Sequence, residues 1–220
     1  MRALIIGASG GIGAEIARQI TRLGGNVTAL SRSVDGLDLT DPASVNRHLG
    51  QLTGPFDLIF VAVGILAPTG SSPEKSLSAI SAGDLAQVFA VNSIGPALIL
   101  SHVPRLLPKD GRSVVAVLSA RVGSIGDNKI GGWYSYRASK AALNQIVHGA
   151  AIELGRSHKG SICVVLHPGT VETPFTANYA GRHKTVPAST AATNLLTVLD
   201  RLKPENSGGF YDYAGKEIPW

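Results

Sequence analysis

The chain has 220 residues, of which 44% are hydrophobic and 16% charged, with 26 Gly and 12 Pro. That length buries one core without staples, the aliphatic content excludes a disordered polar chain, and Gly without a three-residue period excludes a collagen-like one. The net charge of +5 fits either an anionic partner such as a phosphorylated cofactor or a scattered surface surplus; Lys and Arg form no run longer than two, so nucleic acid is not indicated.

Short aliphatic runs recur at Ala3–Ile6, Val27–Leu30, Leu58–Val63, Val114–Leu118 and Ile162–Leu166, with a weaker one at Gly209–Tyr213. Runs this short and unbroken suit strands covered on both faces. Between the first two, Ile12, Ile16, Ile20 and Leu23 fall on one helical stripe. Leu85, Val88, Phe89 and Val91 begin a second helical segment, and Leu143, Ile146, Val147, Ala150 and Leu154 mark a third. The alternation predicts an α/β fold over residues 1–220: a single Rossmann-type domain, a doubly wound parallel sheet in three αβα layers. Ligands of such sheets bind beyond the carboxyl ends of the strands.

The first strand ends in Gly7-Ala8-Ser9-Gly10-Gly11-Ile12-Gly13 and runs into a helix. Strand, glycines, helix and next strand arrive in the order of a dinucleotide site, where the backbone approaches a pyrophosphate at the helix N-terminus. After the second strand come Ser31 and Arg32, where NAD-preferring proteins carry a carboxylate. Arg32, aided by Ser9, suits the 2′-phosphate of NADP (NADPH); its competing reading is an exposed loop cation.

Tyr136 and Lys140 stand four apart at the start of the third helical segment, on one face and about one turn apart. An ammonium beside a phenol lowers the phenol's pKa toward useful acid–base work.

With these motifs in order, the sequence resembles a short-chain dehydrogenase/reductase, from the Gly7–Gly13 turn through Tyr136-x3-Lys140 to Pro168-Gly169-Thr170-Val171-Glu172-Thr173. The stretch from Gly131 to Asn144 and the C-terminal Gly208 to Trp220 are most similar to the C-factor-like and sniffer-like carbonyl reductase branch. The resemblance implies hydride transfer between a nicotinamide and a small or medium carbonyl or alcohol. Tyr136 would protonate the carbonyl oxygen, and Lys140 would hold the nicotinamide ribose and lower the phenol's pKa. Asn92 matches the asparagine that supports a water relay, or else is a polar helix residue bonded locally. Pro168, Gly169, Val171 and Thr173 match positions around the nicotinamide carboxamide and phosphates. Asp38 and Leu39 match the segment beside the adenine, with a local helix cap as the competing role for Asp38.

Two departures stand out. The family usually has Asn-Asn-Ala-Gly where this chain reads Val61-Ala62-Val63-Gly64, so only Gly64 is kept. The family also commonly has two serines after the next strand, the second hydrogen-bonding the substrate carbonyl. Here Leu118-Ser119-Ala120-Arg121 puts Ala120 at that position. Ser119 takes the role, Ser124 swings in from the loop, or no serine serves.

The six histidines show no metal spacing, and no metal is expected. His167 lines the site or packs at a strand end, and Cys163 reads as an inert core residue. Trp133 and Tyr134 form a substrate wall or are simply buried. The segments Phe175–His183, with Tyr179 and Arg182, and Ile65–Ser72 are expected to cover the substrate. One cysteine and no apolar stretch near bilayer length lead us to expect a cytoplasmic protein without a membrane partner. The long helices suit a homodimer or homotetramer, or internal packing. The rival reading of function is a nucleotide-binding regulatory or signalling protein with little turnover.

Overall fold

The computed structural model describes residues 1–173, 175 and 185–220. Its strands are β1 (Arg2–Ile6), β2 (Asn26–Leu30), β3 (Leu58–Val61), β4 (Ser113–Leu118), β5 (Ser161–His167), β6 (Val171–Glu172), β7 (Val186–Pro187) and β8 (Phe210–Asp212). Six of them form one parallel sheet in the order β2-β1-β3-β4-β5-β8, and β6 pairs with β7 apart from it. The chain leaves β1 toward β2 and returns across β1 to β3. The order therefore reverses between β1 and β3, which opens a crevice at their carboxyl ends.

Alternate residues of each strand feed two cores, because side chains on a strand point to opposite faces. Leu4, Ile6, Ile59, Val61, Val115, Val117, Cys163 and Val165 face α3 (Pro42–Gly50), α5 (Gly95–His102) and α6 (Tyr134–Ser157). Ala3, Ile5, Leu58, Phe60, Val114, Ala116, Ile162 and Val164 face α1 (Gly11–Arg22) and α7 (Ala188–Arg201). Burial on both faces is why these strands read as unbroken apolar runs. The run Leu58–Val63 is strand only to Val61, and the weak terminal run narrows to Phe210–Asp212.

Two short helices complete the picture, α2 (Arg32–Asp35) and α4 (Ala82–Phe89). A wide π turn at Ala90–Ile94 joins α4 to α5. Pro96 has no N–H to give the Asn92 carbonyl four residues back, so the regular ladder cannot continue through this point. Such π turns recur at functional positions.

The whole stretch Ala82–Arg105 is long and apolar enough to cross a bilayer, which corrects the expectation that no stretch approaches that length. Its scattered Gly, Ser and Asn obscure it in the sequence. In the fold it packs as a core helix, with Asn92, Ser93, Ile99 and Val103 buried.

Candidate active site

The carboxyl end of β1 is built around the glycine turn. Gly7 has φ +87°, and a Cβ there would lie 2.4 Å from the Ala62 carbonyl oxygen. A Cβ on Gly13 would lie 2.3 Å from the Gly7 carbonyl oxygen, so α1 reaches the turn only because both positions are bare. Gly10, the N-cap of α1, has no side chain to satisfy the first amides. An uncapped helix start of this kind offers free N–H groups to an anion. Thr173 lies against this start, its methyl 2.7 Å from where a Gly11 Cβ would stand. Ile12 packs in the α1–α7 core, Ser9 is exposed, and Val171 is buried in β6. Pro168 and Gly169 lie in the short loop before it, with Gly169 at φ +79°.

At the end of β2, Arg32 is exposed and opens α2. Ser31 is buried, and the Asp35 carboxylate accepts from its N–H at 2.7 Å and its hydroxyl at 3.2 Å. The carboxylate one turn past this strand end, Asp35, is therefore engaged in capping α2. Asp38 accepts from the Thr40 hydroxyl at 2.7 Å and the Thr40 N–H at 2.8 Å. The Thr40 hydroxyl above all, then its N–H and Arg32, hold Asp38 below the usual carboxylate range, against a smaller effect of burial. Helix α3 is capped by Asp41, so a helix cap is not the role of Asp38. Leu39 is buried against Gly95.

A third cluster lies between β3, β4 and the buried start of α6. Asn92, fully buried, accepts the Ile65 N–H at 2.7 Å and donates to the Ile65 carbonyl at 2.8 Å and the Ser139 hydroxyl at 3.0 Å. Ser93 donates to the Ser139 carbonyl at 2.7 Å, and Ser139 in turn to the Tyr136 carbonyl at 2.9 Å. A Cβ on Gly64 would lie 3.2 Å from both Asn92 Oδ1 and Lys140 Nζ, so the loop after β3 passes over this pair. Lys140 Nζ donates to the Leu118 carbonyl at 3.0 Å. Gly64, Asn92 and Lys140 are thus in one place, with Tyr136 a turn before Lys140.

Burial sets the protonation here. It pushes the Lys140 amine down to about 7 and the Tyr136 phenol above its ordinary value. The phenol's shift is opposite to the one spacing suggested, because desolvation of the buried ring governs it. Trp133 meets the Tyr136 ring edge-on at 6.2 Å, and Phe175 lies 6.1 Å away on a tilt.

The Ser119 hydroxyl is buried without a hydrogen-bond partner among the described residues, although its N–H donates to the Leu166 carbonyl. Ser124 is committed elsewhere: its hydroxyl donates to the Pro219 carbonyl at 2.5 Å and accepts the Asp127 N–H at 3.0 Å. His167 ends β5, its Nδ1 buried without a partner among the described residues. Burial first, then the Arg121 cation, push it down to about 4 against the opposing pull of Asp212. Cys163 is wholly buried in β5 and pushed up to about 12 by that burial. Of the expected cover, Tyr179, Arg182 and most of Phe175–His183 lie outside the described residues.

Sequence reasoning missed Glu74. This buried side chain accepts from the hydroxyl and the N–H of Ser135, the latter at 3.2 Å, while its backbone carbonyl accepts the Trp133 N–H at 2.5 Å. Burial alone would raise its pKa, but the hydrogen bonds, that of the Ser135 hydroxyl foremost, bring it below the usual range. Trp133 has φ 52° and ψ 44°, a left-handed conformation that costs a non-glycine residue about 1–2 kcal/mol. No local pattern marks a carboxylate 61 residues from its partner.

Comparison with known proteins gives this arrangement a context. The family model described as Enoyl-(Acyl carrier protein) reductase matches residues 28–201. C-signal of Myxococcus xanthus is 36% identical, the match covering 76% of this chain and 95% of that one. The 1-hydroxy-2-glutathionyl-2-methyl-3-butene dehydrogenase of Rhodococcus sp. (strain AD45) is 31% identical over 99% of this chain and 98% of that one. The solved structure of NADPH-bound carbonyl reductase from chicken fatty liver has the same fold, with a TM-score of 0.82 at 22% identity, covering 100% of this chain and 94% of that one.

Proposed function

The chain belongs to the short-chain dehydrogenase/reductase family of oxidoreductases, and on that footing we propose that it reduces a small or medium carbonyl compound with NADPH, using Tyr136 as the proton donor. The observation that carries the reading is the buried cluster at the end of β4. There Lys140 Nζ meets the Leu118 carbonyl and, with Asn92, flanks Gly64, one turn from Tyr136.

The residues fit a dinucleotide. The cradle at Gly7, Gly11 and Gly13 is one that any Cβ would fill, and it opens on the uncapped start of α1. Arg32 is exposed beside it and offers a fork to a 2′-phosphate, with Ser9 exposed nearby. Asp38 and Leu39 would border the adenine, and Pro168, Gly169, Val171 and Thr173 the nicotinamide end. The NADPH found in the chicken reductase supports the same choice.

When bound, NADPH supplies the hydride that adds to the carbonyl carbon as the C=O π bond breaks. Tyr136 Oη gives its proton to the oxygen, completing the alcohol. A phenol held neutral by burial is in the state this step requires. Lys140, near 7, exchanges protons at neutral pH and is able to restore the phenol while holding the ribose. Asn92 fixes the loop above the amine and supports the water through which a proton returns. Ser119 has a free buried hydroxyl to offer the carbonyl oxygen.

A regulatory nucleotide-binding role with little turnover is the second reading, favoured by Ala120 at the usual serine position. Measuring NADPH consumption with a panel of ketones and aldehydes separates the two. Turnover that is lost in Tyr136→Phe is the expected result, with Arg32→Ala weakening NADPH far more than NADH. Tight NADPH binding without turnover on any compound would instead favour the regulatory role.

A further inference from the structure

The loop after β3 is tied at both ends to the elements of the proposed site. At Ile65 it is held by the Asn92 amide, through both backbone N–H and carbonyl. Nine residues later it is held by Glu74, which reaches the first turn of α6 through three hydrogen bonds. Between them the chain makes an exposed turn in which the Ser71 N–H donates to the Pro68 carbonyl.

The start of α6 follows a run of left-handed backbone. Gly131, Gly132 and Trp133 all have positive φ, at 70°, 66° and 52°. The N-cap, Trp133, makes no side-chain cap. Three side chains hold this turn: Arg137 Nε donates to the Gly131 and Gly132 carbonyls at 3.2 and 3.0 Å, Asn128 Oδ1 accepts the Gly131 N–H at 3.0 Å, and the Glu74 carboxylate accepts the Ser135 N–H and hydroxyl, while the Glu74 backbone carbonyl accepts the Trp133 N–H. Arg137 belongs to α6 itself, whereas Glu74 joins the helix to a separate segment. The carboxylate also sits where a helix welcomes negative charge. Tyr136 follows Ser135 directly, and its ring touches the Trp133 ring.

We propose that Glu74 is a positioning residue: it locks the left-handed Gly131–Trp133 turn onto the loop after β3, and so fixes the Tyr136 hydroxyl and the Trp133 ring relative to the substrate side of the site. This rests on the reading of Tyr136 as proton donor. Glu74 touches neither reacting atom and acts through the helix start. A reacting group displaced by about 1 Å loses as much as roughly 100-fold in rate, so a loose first turn is felt in kcat more than in cofactor binding.

The test compares Glu74→Ala and Glu74→Gln, in a Trp220→Phe background that leaves Trp133 as the sole tryptophan. A glutamine retains the clasp, since its oxygen accepts the Ser135 N–H while its amide donates to the Ser135 hydroxyl. For Glu74→Ala we expect kcat to fall about tenfold or more, NADPH affinity to stay within about twofold, and Trp133 emission to shift to the red; Glu74→Gln should stay within about threefold in all. If Glu74→Ala does not fold, Ser135→Ala is read in the same way, with a smaller loss expected. Wild-type kcat and emission in the folded variant would overturn the proposal, as would a lost kcat with unmoved Trp133 emission. Should the wild type itself turn over no carbonyl compound, the functional reading fails. The emission shift, with faster exchange of the Trp133 and Ser135 amides, would still decide whether Glu74 holds the turn.

Discussion

Lys140 Nζ and the Leu118 carbonyl oxygen are 3.0 Å apart at the carboxyl end of β4, inside a shell that leaves the lysine 3% exposed. The amine titrates near 7 in the folded chain because of that burial, against its ordinary 10.5 when unfolded. Between these values the unfolded chain holds a proton that the folded one lacks. Stability therefore rises as pH climbs from 7 to 10.5, and the penalty is fully present below 7. Lys140→Met removes the charge and keeps the volume. Relative to wild type it should gain on the order of 2 kcal/mol below pH 7, or roughly 4–8 °C in Tm, after the lost hydrogen bond is counted. The gain should vanish by about pH 10.5, while carbonyl reduction is lost at every pH. A gain independent of pH would contradict the assignment of a proton-poor lysine.

Ser119 and Ser124 separate by cost. The Ser119 hydroxyl has no partner to lose among the described residues, so Ser119→Ala should stay within about 0.5 kcal/mol in denaturant unfolding. If that hydroxyl polarises the substrate carbonyl, kcat falls about 10²–10³-fold. Ser124→Ala should do the reverse, losing roughly 1 kcal/mol per hydrogen bond to Pro219 and Asp127 with kcat little changed. An unaltered kcat in Ser119→Ala would remove Ser119 from the chemistry.

The glycine turn has an internal control. Gly7→Ala forces a methyl to within 2.4 Å of the Ala62 carbonyl oxygen at φ +87°, and should cost at least about 2 kcal/mol and abolish NADPH binding. Gly149, in the exposed middle of α6, has nothing within 4 Å of the point where an added methyl would stand. Gly149→Ala should therefore stabilise by about 0.5–1 kcal/mol and leave NADPH binding unchanged. Thermal melts and cofactor titration read both; similar effects from the two substitutions would sink the steric argument.

Much of this was legible in the chain because the relevant signals are local. Sheet strands buried on both faces produce continuous apolar runs, and the Gly7–Gly13 spacing follows from a turn that two bare backbones must share. The Tyr136–Lys140 interval is one helical turn. What escaped is set by tertiary contact. Helix α7 carries Ala, Ser and Thr where a bulkier stripe would have announced it, and β6 and β7 are two residues each. Ser124 looks available until the chain near Pro219 folds back onto it. Glu74 reads as an ordinary loop carboxylate until α6 begins beside it. The direction of the Tyr136 shift also depends on how deep the ring lies, which spacing does not convey.

Deuteride transfer tests the chemistry at its centre. Wild type and Tyr136→Phe are given NADPH deuterated at C4 and a ketone substrate, and the alcohol is analysed by mass spectrometry. Deuterium on the carbinol carbon with wild type, and none with a Tyr136→Phe variant that still binds NADPH, is the expected result. Equal deuterium incorporation by both proteins would mean that Tyr136 does not deliver the proton.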